Sequence, residues 1–300
     1  MGSMSVYTGH QKLQSAMEYL MTYGWAILVI AVVLGVMYTL GVFNPINYAP
    51  KAQPGSCQVF RPNGPGTSYD VNLQGTCSGE LPQYVATFNG RSSYIDTGAS
   101  DLPLGSAPRS AFAWVYYTGI PANDYFTVES YGNQSKGTEA VGFRIQQTSG
   151  YMDFVGAGDD FQTTFIPSDG VWNFVGYTYN GGTGVTVYYD SQSQTGTIGS
   201  PLDTTLPKSD IANIGKSTAN NLWYWQGYIA DVQIYNTSLS ANEVSALYNE
   251  GIGGAPIKPQ NVVGWWPLDG NANDYSGNNN NGVPTAVSYT GSWQSGYTAP

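Results

Sequence analysis

Cationic side chains are scarce in this sequence, with ten Lys and Arg against twenty Asp and Glu in 300 residues and a formal net charge of −10. They form no cluster, which makes nucleic acid and anionic lipid headgroups poor partners, because both are held through basic patches. A single histidine, His10, lies near the start. The rest of the chain therefore cannot build a Ser-His-Asp triad, and no pair of acids has the spacing of a strand-borne glycosidase pair. Two cysteines are too few for a metal centre built on soft ligands. Only 10% of residues are charged. Such a surface changes its charge little with pH, so a protein that withstands an acidic exterior is expected.

What the sequence has instead is Gly, Tyr, Trp, Thr, Val and Asn, a β-rich composition without long helix-former blocks. The exception is Gln14 to Phe43. No charge follows Glu18 until Lys51, and Tyr19 to Phe43 is almost wholly apolar or aromatic. At about 1.5 Å per residue this run makes a helix about 37 Å long, enough to span a bilayer with some tilt. Its apolar groups fall on every face, so lipid or copies of itself must surround it. Glu18 is expected in the first turn, facing the positive end of the helix dipole. His10 and Lys12 before the run and Lys51 after it favour the N-terminus inside and the C-terminus outside.

Residues 1–13 read as a leader and 44–80 as a Pro- and Gly-punctuated hinge and collar. In an exported segment Cys57 and Cys77 read as a disulfide, worth about 3 kcal/mol for a loop of about 20 residues. Residues 81–300 read as the β domain. Short alternating stretches such as Tyr84 to Gly90, Ser93 to Gly98 and Trp172 to Asp190 are separated by turns, among them Asn180-Gly181-Gly182. The period changes once: Ser240 with Glu243 three residues on forms a capping box, followed by Val244, Leu247 and Tyr248 on one face. The pattern predicts a mainly β protein, an antiparallel jelly-roll sandwich preceded by one long hydrophobic helix.

Lys12-Leu13-Gln14-Ser15-Ala16-Met17-Glu18-Tyr19-Leu20 resembles the class III signal segment of archaeal type IV-like pilins. The resemblance implies that a prepilin peptidase cuts between Leu13 and Gln14, and that Glu18 becomes the fifth mature residue and pairs with a neighbouring subunit's terminal amine. Leu13 departs from the small residue usual before the cut. FNGRSSYIDTG, WNFVGYTYNGGTGVTVYYD and GYIADVQIYNTSLSANEVSALY resemble the LamG-like, concanavalin A-type jelly roll over about Tyr84 to Gly251. Val262 to Gly282 resembles that family's opening strand and loop, yet it comes last. Three arrangements account for this: a circular permutation in which 262–290 completes its own sandwich, a strand given to the next subunit, or a second domain cut short.

Asp269, Asn271, Asp274 and Asn278 concentrate oxygen in one turn-rich loop. The family resemblance implies a calcium there, with Asp231 as a partner; an Asx-rich turn without metal is the other reading. Asn133 and Asn236 open N-glycosylation sequons. Trp223, Tyr224 and Trp225 read either as a sugar-stacking platform or as core. Together these features predict a non-catalytic subunit of an adhesion pilus at the cell surface. It would insert in the membrane as a precursor, assemble with copies of itself and display its β domain to surface glycans. The alternative is a membrane-anchored carbohydrate-binding protein that never polymerises.

Overall fold

The computed structural model describes residues 10–39, 81–119, 125–146, 149–206, 212–218 and 223–300. Two compact units divide the chain, the helical N-terminal segment and the β-rich remainder.

Helix α1 runs from His10 to Thr39. It begins four residues before Gln14, because His10-Gln11-Lys12-Leu13 holds no proline or glycine to stop helical propagation. Glu18 therefore lies well inside the helix and not in its first turn, which contains no acid. Leu13 and Gln14 also lie within α1, while Leu40 to Phe43 and both cysteines fall outside the described residues. Side chains of α1 are described at Met21 and over residues 23–37, where Trp25, Ile27 and Val33 are exposed. Among the described residues, no helix is long and apolar enough to cross a membrane.

The second unit is a sandwich of two antiparallel sheets. In chain order its strands are β1 (Val85–Asn89), β2 (Tyr94–Asp96), β3 (Arg109–Tyr117), β4 (Tyr125–Gly132), β5 (Ala140–Gln146), β6 (Met152–Val155) and β7 (Phe161–Gln162). There follow β8 (Asn173–Tyr179), β9 (Gly184–Tyr189), β10 (Gln192–Thr197), β11 (Ala212–Ile214) and β12 (Gln226–Tyr235). Helix α2 (Ala241–Glu250) precedes β13 (Val262–Trp266), β14 (Val283–Thr285) and β15 (Ser288–Thr290). One sheet has the order β10-β9-β8-β3-β12-β1-β15, with β13 also on β12; the other has the order β14-β2-β11-β4-β5-β6-β7.

Local chemistry sets the turns. Asn89 Oδ1 accepts from the backbone N–H groups of Arg91, Ser92 and Ser93 and so closes the β1–β2 connection. Asn180 Oδ1 does the same for Gly182 and Gly184, and Gly181 at φ 90° permits the close turn that a side chain would block. Helix α2 has the capping box its sequence predicts: Ser240 Oγ accepts from Glu243 N, and Glu243 Oε2 accepts from Ser240 N.

Between the sheets lies a core that includes Phe88, Ile95, Phe126, Phe143, Phe154, Tyr177, Trp225 and Trp266. A second apolar layer covers the outer face of the first sheet. There Val244 and Leu247 of α2 pack with Phe112, Trp114, Phe174 and Trp293. The C-terminal tail is fastened in that layer: Trp172 Nε1 donates to the Trp293 carbonyl at 3.0 Å, and Trp293 Nε1 donates to the Pro82 carbonyl at 3.1 Å.

Strand β12 carries two partners end to end along one edge. Its first half pairs with β1 (Ala86 opposite Ile229) and its second half with β13 (Val232 opposite Trp266). Strand β15 closes the far side of β1, and β14 borders β2. Residues 262–290 thus supply strands to both sheets.

Candidate functional site

The two sheets differ in what covers them. Helix α2 and the C-terminal tail bury the first, whereas among the described residues no helix lies on the outer face of the second. Side chains alternate along its strands. Ile95, Ile214, Phe126, Phe143, Ile145 and Phe154 enter the core, so the positions between them form the outer face. Thr127, Arg144, Asp153 and Gln162 stand opposite one another on β4, β5, β6 and β7. Asn213 stands between Asp96 and Ser130.

Arg144 is the hub of this face. Its Nη2 donates to Asp160 Oδ2 at 2.8 Å and its Nε to Asp153 Oδ2 at 3.4 Å, while Gln146 Nε2 donates to the same Asp153 oxygen at 2.7 Å. The guanidinium lies 3.9 Å from the centre of the Tyr125 ring and 5.4 Å from Trp223. Those two rings meet edge to face at 4.9 Å. Trp223 holds φ 62°, a strained conformation for a bulky side chain, and its carbonyl accepts from Thr127 N. Toward β2, Lys216 Nζ sits 4.3 Å above the Tyr94 ring, which also touches Tyr224. Burial raises the Asp153 carboxyl above its ordinary range, with Gln146 and Arg144 opposing.

Several buried polar atoms here have no protein partner: Thr127 Oγ1, Asp153 Oδ1, both amide atoms of Asn213, and Thr218 Oγ1. A buried donor or acceptor left open costs roughly 1–3 kcal/mol, so native proteins fill such positions.

Sequence reasoning singled out Trp223, Tyr224 and Trp225 as one cluster, and the structure divides them. Trp225 is fully buried between the sheets, with its Nε1 on the Tyr228 carbonyl, while Trp223 and Tyr224 reach the outer face. Arg144, Asp153, Tyr125 and Asn213 were missed. Their signal is present in GFRIQ and YMDFV, where a charged residue interrupts each apolar alternation.

The expected calcium ligands do not make a cage. Asp274 Oδ1 accepts from the N–H groups of Trp265 and Ser276, and its Oδ2 from Ser276 Oγ and Asn280 N. Asn278 Nδ2 donates to the Val262 and Val263 carbonyls, and Asn271 Oδ1 accepts from Asn273 N. These side chains organise the loop as an Asx-rich turn.

Asp269 and Asp231 instead line a cleft of about 120 Å³ with Trp265, Pro267 and Ile252. Tyr84 N donates to Asp269 Oδ1 at 2.7 Å. Asp231, at φ 50° on the irregular stretch of β12, accepts from Trp265 Nε1 at 2.7 Å and Gln233 Nε2 at 2.8 Å. Burial pushes its carboxyl up to about 7. Among the described residues, no group of three or more His, Cys, Asp or Glu could hold a metal ion.

The sequons also differ. Asn133 Nδ2 is bonded to Glu139 Oε2 at 3.1 Å, whereas Asn236 is exposed and uses its Oδ1 to accept from Asn261.

The family model described as the concanavalin A-like lectin/glucanases superfamily matches residues 89–245. Among solved structures, a candidate carbohydrate-binding protein from Bacteroides ovatus is 17% identical with a TM-score of 0.53, over 70% of this chain and 60% of that one. The chain thus spans 60% of that protein's length. A heptameric SAP-like pentraxin from Limulus polyphemus is 13% identical, over 70% of this chain and 95% of that one, with a TM-score of 0.45. The CBM40 of the Ruminococcus gnavus IT-sialidase is 14% identical, over 48% of this chain and 84% of that one, with a TM-score of 0.39. These likenesses concern the fold. No curated protein matches the chain at a significant level.

Proposed function

The chain belongs to the concanavalin A-like lectin/glucanases superfamily, and from that premise we propose that its sandwich is a non-catalytic glycan-binding domain displayed outside the cell on a pilin-like N-terminal helix. One observation carries the glycan half. On the seven-stranded sheet the half-buried rings of Tyr125 and Trp223 meet edge to face beside Arg144, on a side over which no helix lies among the described residues. Sugars present C–H faces that stack on such rings. The acids nearest this site are committed to Arg144, which favours binding over catalysis. Screening the full chain against immobilised glycans is expected to give saturable binding that Trp223→Ala weakens about tenfold. A chain that binds no glycan refutes this half.

The pilin half rests on the segment Lys12 to Leu20 and the apolar run after it. In this reading a prepilin peptidase releases Gln14 as the mature N-terminus, and the helix leaves the membrane for a bundle of its copies. Glu18 then needs a cationic partner, because an unpaired buried carboxylate costs several kcal/mol. The same reading takes 262–290 as the opening segment of a permuted sandwich. Mass spectrometry of cell-surface material is expected to find chains starting at Gln14, and Glu18→Ala to prevent filaments seen by electron microscopy. Leu13 before the cut favours one alternative, an anchored protein that never polymerises. Intact leaders on single subunits would establish that alternative and end the filament reading.

A further inference from the structure

We infer that strand β10 is an interface between two copies of this chain, which pair antiparallel along it and join their first sheets into one. Among the described residues it is the longest sheet edge left open. Strand β14 has three residues with Pro284, which lacks an N–H, at its centre. Strand β15 also has three, and β7 has two, just after Asp159 and Asp160. The outer edge of β13 is met by the loop that follows it: Trp265 N donates to Asp274 Oδ1, and Asn278 Nδ2 donates to the Val262 and Val263 carbonyls. Strand β10 has six residues, all in register with β9, and Gln192, Ser193, Thr195 and Thr197 are exposed. Among the described residues its backbone bonds to β9 alone, so alternate N–H and C=O groups face solvent. It holds none of the Lys, Pro or acidic residues that ordinarily guard an exposed edge.

Charge selects a second copy as the occupant. Each copy carries a net −10, so two of them meet at least cost where neither presents charge. From Asn173 to Leu202, which covers β8, β9 and β10, the one charged residue is Asp190, and its Oδ1 accepts from Phe174 N within the same chain. The strand is also complementary to itself. Ser193, Thr195 and Thr197 share the outer side, where Thr195 Oγ1 lies 3.0 Å from Thr186 Oγ1 of β9. The inner side is already closed by the segment around β7, since Thr164 N donates to Gln194 Oε1 and the Phe161 ring lies against Gly196. A two-fold axis through Thr195 sets Thr195 opposite its own copy and Ser193 opposite the partner's Thr197. Each outer pair is then hydroxyl against hydroxyl, a cross-strand pairing that stabilises a sheet. Six residues make a small contact, so the pairing is weak and shows at high protein concentration.

The test uses the full chain, with Thr195→Cys and, as a control, Thr186→Cys oxidised under the same conditions; both variants keep Cys57 and Cys77. In the pair Thr195 lies within about 5.5 Å of its copy, whereas Thr186 is three strand spacings, about 14 Å, from its own. Thr195→Cys is therefore expected to give at least about tenfold more disulfide-linked dimer than Thr186→Cys. Hydrogen exchange needs no variant: at the β10 amides of the unaltered protein it is expected to slow between micromolar and millimolar concentration. Thr195→Lys sets two ammonium groups face to face and is expected to abolish that dependence. Equal crosslinking at both positions, or β10 exchange that does not change with concentration, would overturn the pairing. Protection of β10 that is the same at every concentration and survives Thr195→Lys would place another segment of the same chain on this edge, and would overturn it too.

Discussion

Replacing Asp231 by Asn should flatten the pH dependence of stability. The Asp231 carboxyl is buried on β12, and burial lifts it from an ordinary 3.8 to about 7, against hydrogen bonds from Gln233 and Trp265. Between those values the native chain keeps a proton that the unfolded chain releases. Rising pH therefore favours unfolding, and this contribution is present in full below about pH 4 and lost by about pH 7. At about 1.4 kcal/mol per pH unit, the window is worth about 4 kcal/mol, or about 10 °C in Tm for a domain of this size.

Asn can keep the local bonds. Its Oδ1 still accepts from Trp265, and a flipped Gln233 can receive its Nδ2 and donate to Tyr235, whose hydroxyl now donates to Gln233. Asn also tolerates the left-handed backbone at this position. Glu129, lifted to about 8 by burial against Tyr177 and Arg109, acts in the same direction in both proteins. Glu243, held down to about 2 by Lys258 and Ser240, acts oppositely and only below pH 4.5. Circular dichroism melts at pH 4, 5.5 and 7.5 are expected to show wild type losing about 10 °C more than Asp231→Asn. Equal slopes in the two proteins would refute the reasoning.

Trp293→Ala should cost about 3–5 kcal/mol in denaturant unfolding, because a fully buried indole would leave both a cavity and the Pro82 carbonyl without its donor. A loss under 1 kcal/mol would show that the tail does not fasten the sheet. In a glycosylating host, Asn236→Gln should remove a glycan mass and Asn133→Gln should not, because only the Asn133 amide nitrogen is engaged within its own turn. Glycan on Asn133 alone would contradict that accessibility argument.

The sandwich was legible because its evidence is local. Alternation in Trp172 to Asp190, the Asn180-Gly181-Gly182 turn and the Ser240–Glu243 box act within a few residues, and each element forms where its pattern lies. The arrangement on the outer face of the second sheet was not legible. It depends on neighbours far apart in sequence, such as Asn213 beside Ser130, and alternation alone cannot say which side of a strand a second layer will cover. Trp223 and Trp225 illustrate the same limit, since both are large aromatics two positions apart and only sheet geometry sends one inward. The Asp269 to Asn278 loop reads two ways for another reason. Oxygen-rich turns and cation sites share a composition, and what separates them is whether the oxygens already have N–H donors, as those of Asp274 do. The start of α1 at His10 reflects a third limit, because nothing in His10 to Leu13 opposes a helix once one has begun.

Strand β1 opens the sandwich, yet its outer neighbour β15 is the last of the described strands in chain order, and β13 must arrive before the rest of that β12 edge is lined. A polypeptide emerging N-terminus first therefore carries bare backbone edges on β1 and β12 until β13 and β15 arrive to seal them.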